Sequence, residues 1–269
     1  MKNSVISFAS ALAIGLGLAP AALAADMPLK APPMIAPAPA WSWTGFYIGG
    51  NVGYTVEQNT FVTNFTQPAP VLNTPVAGAN GGSGFSGGVQ GGYNWQFDPR
   101  WVLGVEGDWQ SVNMSNAFCR NTDTGPNCVD TGRGILNFNQ ESDWLASVRG
   151  RLGYVWNGVL AYGTAGAAWG KVDTMLNASC LVAGCGNNAT ANAATANFSN
   201  TLTGYVAGAG IEGQVWGNWT ARFEWLHYGL GGPTNAFTSS PATGTYTVSW
   251  KQNHYNYDTV RFGLNYKIW

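Results

Sequence analysis

The chain has 269 residues, with 12 Lys and Arg against 13 Asp and Glu, a formal net charge of −1, and only 9% charged residues. Water-soluble domains carry about 25% charged residues, so an ordinary soluble globule is disfavoured, and the near-zero charge gives no footing for nucleic acid. A mean hydropathy of −0.06 is equally far from a helical membrane protein, but it suits a β-barrel that hides polar side chains inside and turns apolar ones toward lipid.

The N-terminus reads as processing. Lys2 precedes the apolar run SVISFASALAIGLGLA (4–19), and Ala22-Leu23-Ala24 is an A-x-A cleavage site, so residues 1–24 are expected to be a signal peptide. A retained membrane anchor is the alternative, but the run is short and rich in small residues. Residues 25–42 open with ADMPLKAPPMIAPAPA. Proline removes backbone donors, so this stretch is expected to be a poorly structured periplasmic leader. An inert spacer is the plain reading, and a contact with peptidoglycan is the alternative.

From residue 43 the pattern changes to evenly spaced segments of period two, as in strands with unlike faces. The first spans 44–57, with Phe46, Ile48, Val52 and Tyr54 on its apolar face. The second (83–97) carries Phe85, Val89, Tyr93, Trp95 and Phe97, and the third (101–114) Trp101, Leu103, Val105 and Trp109. The fourth (142–156) carries Trp144, Ala146, Val148, Leu152, Tyr154 and Trp156. The fifth (159–173), VLAYGTAGAAWGKVD, is too rich in Ala and Gly to assign faces. The sixth (202–216) carries Tyr205, Ala207, Ala209, Ile211 and Val215, and the seventh (219–229) Trp219, Ala221, Phe223 and Trp225. The eighth, HYNYDTVRFGLNYKIW (254–269), places Val260, Phe262, Leu264, Tyr266 and Ile268 on one side.

Connections alternate in length. Asp98-Pro99-Arg100, Asn157-Gly158 and Gly217-Asn218 are tight, and Asn-Gly is a strong hairpin signal. Segments 58–82, 115–141, 174–201 and 230–253 are long and polar. Short turns at one end and long loops at the other predict an eight-stranded antiparallel up-and-down transmembrane β-barrel over 43–269. Both termini would be periplasmic and the long loops would face outward, in the outer membrane of a Gram-negative cell.

The strand charges fall on the opposite face. Glu106, Asp108, Arg149, Arg151, Glu212, Arg222, Glu224, Arg261 and Lys267 alternate with lipid-side residues. Facing lipid at the midplane, each Arg or Lys would cost roughly 2–4 kcal/mol. Eight strands leave a lumen just wide enough for side chains to fill, so these groups are expected to form carboxylate–guanidinium pairs across it, with a few waters. The network reads either as a structural plug or as a narrow gated ion path. Paired carboxylates also serve glycosidases, but those need an open cleft.

Cys119, Cys128, Cys180 and Cys185 form two close pairs, each inside one long loop. In an exported protein they point to disulfides 119–128 and 180–185. Zinc is the weaker alternative, because no histidine lies near, and pairing between the loops stays open. The two histidines, His227 and His254, flank the last loop. Ser249, His254 and Asp258 could be assembled into a triad on paper, although coincidence explains them as well. No P-loop or H-E-x-x-H motif is present, so no cofactor, metal or enzyme activity is expected. NNATANAATANFSN (187–200) reads as a solvated low-complexity surface segment.

The leader ADMPLKAPP, the motif WTGFYIGGNVGY (43–54), the run DWLASVRGRLGYVW (143–156) and the end TVRFGLNYKIW (259–269) resemble the small outer-membrane β-barrel proteins of alpha-proteobacteria, described as surface antigens or porin-family proteins. The resemblance implies a barrel similar to the transmembrane domain of outer-membrane protein A. It also implies a setting in outer-membrane lipids and insertion by the barrel-assembly machinery through the C-terminal strand, and it carries over no cofactor and no catalytic residue. Relatives tend to end on an aromatic residue in register with the apolar face. Here Ile268 keeps that register and Trp269 leaves it. The function expected is a non-enzymatic structural and surface role, with outer loops that could meet surface ligands. The alternatives are a small diffusion channel and, third, a lipid-modifying hydrolase at the rim.

Overall fold

The computed structural model describes residues 41–66, 76–121, 135–179, 194–239 and 246–268. They hold the strands β1 (Gly45–Thr66), β2 (Val76–Asn80), β3 (Ser83–Asp98), β4 (Trp101–Asn121), β5 (Ile135–Trp156), β6 (Val159–Ser179), β7 (Ala194–Trp216), β8 (Trp219–Gly231), β9 (Thr234–Ser239) and β10 (Tyr246–Lys267). The long strands pair in the order β1-β3-β4-β5-β6-β7-β8-β10, and β10 pairs back onto β1 to close the ring. Every recorded pairing is antiparallel, with Val52 opposite Phe262 at the closing seam.

β2 and β9 continue β3 and β8 after short interruptions. β2 takes up pairing with β1 beyond the end of β3, and β9 pairs with β10 beyond the end of β8. The breaks fall at Gly81-Gly82 and at Gly232-Pro233. Glycine gives a strand nothing to pack, and Pro233 has no N–H for the ladder. The architecture is therefore an eight-stranded up-and-down barrel with two interrupted strands.

At the turn end, strand limits lie within two residues of those expected. Asn157 and Gly158 have φ of 48° and 81°, and Gly217 has φ of 52°, the mirror-image turns that match strand twist. In the third turn, the Arg100 N–H donates to Asp98 Oδ1 at 2.9 Å. At the loop end the strands run further than expected. β4 reaches Asn121 and β5 starts at Ile135, inside the 115–141 segment read as a loop. The apolar alternation ends where lipid would end, but backbone pairing needs no apolar face and continues in polar sequence.

The faces follow the alternation. Phe46, Val52, Phe85, Val89, Val105, Val148, Leu152, Ile211, Phe223 and Phe262 are exposed on the outer wall, with Phe85 reaching 80%. Aromatic side chains gather near the turn end, where Trp101 meets Tyr154 edge-on at 5.3 Å and Trp219 meets Tyr266 at 5.2 Å. A second group lies toward the loop end, where Tyr54 meets Phe85 at 5.5 Å. The unassigned strand, β6, turns Val159, Ala161, Ala165 and Ala167 outward and buries Leu160, Tyr162, Thr164, Ala168 and Val172. The predicted signal peptide and nearly all of the predicted leader, together with Trp269, lie outside the described residues.

Candidate functional site: the filled lumen

The inward positions form two layers. Nearer the turns, Arg149, Arg151, Arg222 and Arg261 converge with Glu106, Asp108, Glu212 and Glu224, all buried. Four guanidinium groups thus face four carboxylates, and their formal charges cancel. Each arrives by the same logic: an ionic residue between two lipid-side residues on a strand must point inward.

Glu106 is the hub. Its carboxylate accepts from Arg149 and Arg222, and from the Tyr47 hydroxyl at 2.6 Å. Arg149 Nη1 reaches Glu224 Oε1 at 3.1 Å, and its Nη2 reaches Asp108 Oδ2 at 3.0 Å. Arg261 donates to Glu224 through Nε at 2.7 Å and to Asp108 through Nη1 at 3.1 Å. Arg151 pairs with Glu212 at 2.7 Å, and Glu212 also accepts from Thr220 at 2.6 Å and Asn265 at 2.9 Å. Ser147 donates to Asp108 at 2.5 Å. An isolated buried charge would be prohibitive, but here each is met by opposite charge, and each carboxylate also accepts from a neutral donor.

Two tyrosines belong to this layer. Tyr162 donates to Glu224 at 3.1 Å, and its ring lies 4.0 Å beneath the Arg151 guanidinium, a cation–π contact. Tyr47 accepts from Arg151 at 3.1 Å. Both rings need glycine opposite them: a Cβ on Gly210 would sit 2.6 Å from the Tyr162 hydroxyl, and one on Gly92 would sit 2.6 Å from that of Tyr47. Residue type alone marks neither tyrosine. The signal was parity, since Tyr47 lies between outward Phe46 and Ile48.

Lys267 stands apart. It lies at the turn-end rim, where Nζ donates to the Ser42 carbonyl. The Trp43 N–H donates to Gln96 Oε1 at 2.9 Å, and the Trp43 side chain is buried. The segment before β1 is thus tied to β3 and β10.

Toward the loops the lumen becomes more apolar, although Glu57, opposite Tyr257, and Gln110 are buried there too. Val112, Met114, Leu145, Ala168, Val172, Leu202, Val206, Leu226, Tyr228, Leu230, Tyr255 and Tyr257 form one buried cluster. Its tyrosine hydroxyls reach across the lumen: Tyr228 to Gln110 Nε2 at 2.8 Å, Tyr257 to Ser142 Oγ at 3.2 Å, and Tyr255 to the amide of Gln140. The ion pairs expected across the lumen occupy its turn-side layer, and this cluster lies above them. On β8 the parity that turns Arg222 and Glu224 inward also carries in Leu226, Tyr228 and Leu230.

Outside the lumen, Asp258 Oδ1 meets His227 Nδ1 at 3.0 Å, across the β8–β10 ladder. His254 pairs instead with Gly231, and four residues along the strand put it about 13 Å from Asp258 at ~3.3 Å per residue. Ser249 lies opposite Ala236 on β9. The structure therefore does not assemble Ser249, His254 and Asp258 as a triad. The side chains of Cys119, Cys128, Cys180 and Cys185 fall outside the described residues, and both disulfide expectations with them. Lys171 Nζ bridges Asp143 at 2.6 Å and Asp173 at 2.7 Å on the outer wall, beside Trp169 and Trp144. Among the described residues, no cluster of His, Cys, Asp and Glu is arranged to hold a metal.

The family model described as "Outer membrane protein beta-barrel domain" matches residues 8–267. The 31 kDa outer-membrane immunogenic protein of Brucella melitensis is 33% identical over 275 residues, covering 100% of both chains. The 22 kDa outer membrane protein of Rhizobium leguminosarum is 32% identical over 194 residues, 70% of this chain and 65% of that one. The 25 kDa outer-membrane immunogenic protein of Brucella abortus is 26% identical over 250 residues, 92% of this chain and 91% of that one.

Proposed function

This chain belongs to the outer membrane protein beta-barrel domain family, and from that premise we propose that it is a non-enzymatic structural and surface protein of the Gram-negative cell envelope. Its place is the outer membrane, where lipid surrounds the apolar wall and barrel-assembly machinery inserts the chain. The signal peptide (1–24), the leader (25–42) and the barrel (43–269) are the proposed divisions. Disulfides Cys119–Cys128 and Cys180–Cys185 are proposed to brace two outer loops.

The observation that carries the reading is the filled lumen. Inward side chains are buried from Val102 and Leu160 near the turns, through the ionic layer, to Leu226 and Leu230 near the loops. A charge-balanced, buried ion network serves as a plug, and the packed, largely apolar layer above it leaves little room for the water that an ion path requires. What remains for contact with the surroundings is the outer wall and the loop end. The word "immunogenic" in the names of the Brucella relatives supports a surface role for the loops, with surface ligands as their partners. Peptidoglycan is the partner in reach of the leader.

Deletion in the source bacterium tests this. Greater detergent sensitivity, with more membrane vesicles or weaker surface adhesion, is the expected outcome. A deletion strain that matches wild type in all of these contradicts the reading.

A further inference from the structure

Above the upper aromatic group the barrel stops being one continuous sheet. The β3–β4 ladder ends with Ser86 opposite Val112, yet β4 continues to Asn121 along β5. The β7–β8 ladder ends with Gly204 opposite Leu230, yet β7 extends back to Ala194 along β6. β2 lies on β1 and β9 on β10. Among the described residues, the loop end therefore consists of two four-stranded sheets, β2-β1-β10-β9 and β4-β5-β6-β7. The chain crosses from β3 to β2 and from β8 to β9 at Gly81-Gly82 and Gly232-Pro233. At the β3–β4 seam glycine brings backbones close: a Cβ on Gly84 would lie 2.0 Å from the Asn113 carbonyl oxygen.

Side chains bridge the two sheets. Tyr255 and Tyr257 on β10 stack at 6.4 Å with 15° between their rings. Their hydroxyls reach Gln140 and Ser142 on β5, and Asn200 reaches Asn235 at 3.5 Å across one seam. Within each sheet a backbone ladder runs along every strand pair, whereas among the described residues side-chain bonds and apolar packing join one sheet to the other. Structures open along such weakly joined boundaries as cooperative units.

We propose that the loop end is a pair of jaws. The two sheets part along the seams, Tyr255 and Tyr257 are the latch, and the closed ring below does not move. Opening exposes the apolar chamber around Met114, Val172, Leu202 and Leu230 to the outside. It opens no path through the barrel, because the ionic layer around Glu106 lies beneath.

Methionine oxidation by peroxide reads this motion, since a thioether is oxidised as fast as solvent reaches it. Met114 is 4% exposed inside the chamber, and Met175 is 40% exposed on the outer wall. The experiment uses the full chain refolded into phospholipid vesicles, with sulfoxide at each methionine measured by mass spectrometry. In Tyr255→Phe/Tyr257→Phe, Met114 should oxidise about tenfold faster or more, from loss of the bonds that both hydroxyls make, while Met175 keeps its wild-type rate. Gln140→Leu, which removes the latch from the other side, should also accelerate Met114. Tyr228→Phe, on β8 opposite Tyr257, breaks a comparable bond to Gln110, below the end of the β3–β4 ladder, and should leave Met114 slow. The proposal is overturned if Met114 is unchanged in the double variant, or if Tyr228→Phe accelerates it equally, which would mean general softening of the core. Heat-modifiable gel migration confirms that each variant is a closed barrel.

Discussion

The lumen is closed near the turns by charge and near the loops by hydrocarbon and tyrosine, and the two closures depend on different kinds of partner. Around Glu106, each group is tolerated because several others oppose it: Glu106 touches Arg149 and Arg222, and Arg149 touches Glu224 and Asp108. Removing one member leaves a charge without its counterpart. Around Leu230, each group contributes by filling space, and removing one leaves a hole. A small β-barrel can thus close its interior with either chemistry, but the ionic layer is all-or-none where the apolar layer is graded.

That difference sets the order of expected effects. Glu106→Ala strips the hub from two buried guanidinium groups and should cost about 3–5 kcal/mol, read as a lower urea midpoint in vesicles and poor recovery of the heat-modifiable form. Leu230→Ala should cost about 2–4 kcal/mol as a cavity, with the barrel still recovered. Glu106→Gln/Arg222→Met removes one charge of each sign and should be less destabilising than Glu106→Ala, because the balance is restored. If the paired variant is as poor as the single one, the lower layer is held by packing and the contrast fails. Tyr228→Phe loses one bond to Gln110 and should cost about 1 kcal/mol. Lys171→Ala, on the solvated outer wall, should leave the midpoint unchanged.

The residues that proved legible in sequence are those that lipid constrains. Phe46, Val105, Leu152, Ile211 and Phe262 declare their side because an apolar wall requires strict alternation, and the same parity turned Glu106, Arg149, Arg222 and Arg261 inward. Which of these would meet was not legible. Arg149 on β5 reaches Glu224 on β8 across the lumen, and that contact depends on ring closure and stagger, which no local pattern encodes. Tyrosine hid its role for another reason. Tyr47 and Tyr162 suit either a membrane interface or a polar interior, so residue type said nothing and position decided. In β6, Ala and Gly blurred both faces until its partners placed Tyr162 against Glu224. The strand extensions at the loop end are not legible in the sequence, because polar strands and loops look alike once lipid no longer selects their side chains.

Planar-bilayer recording of the refolded, heat-modifiable protein tests the filled lumen most directly. No steady conductance above the bare bilayer is predicted, because both layers span the path. A stable, ohmic, reproducible conductance from the wild-type chain would contradict the account.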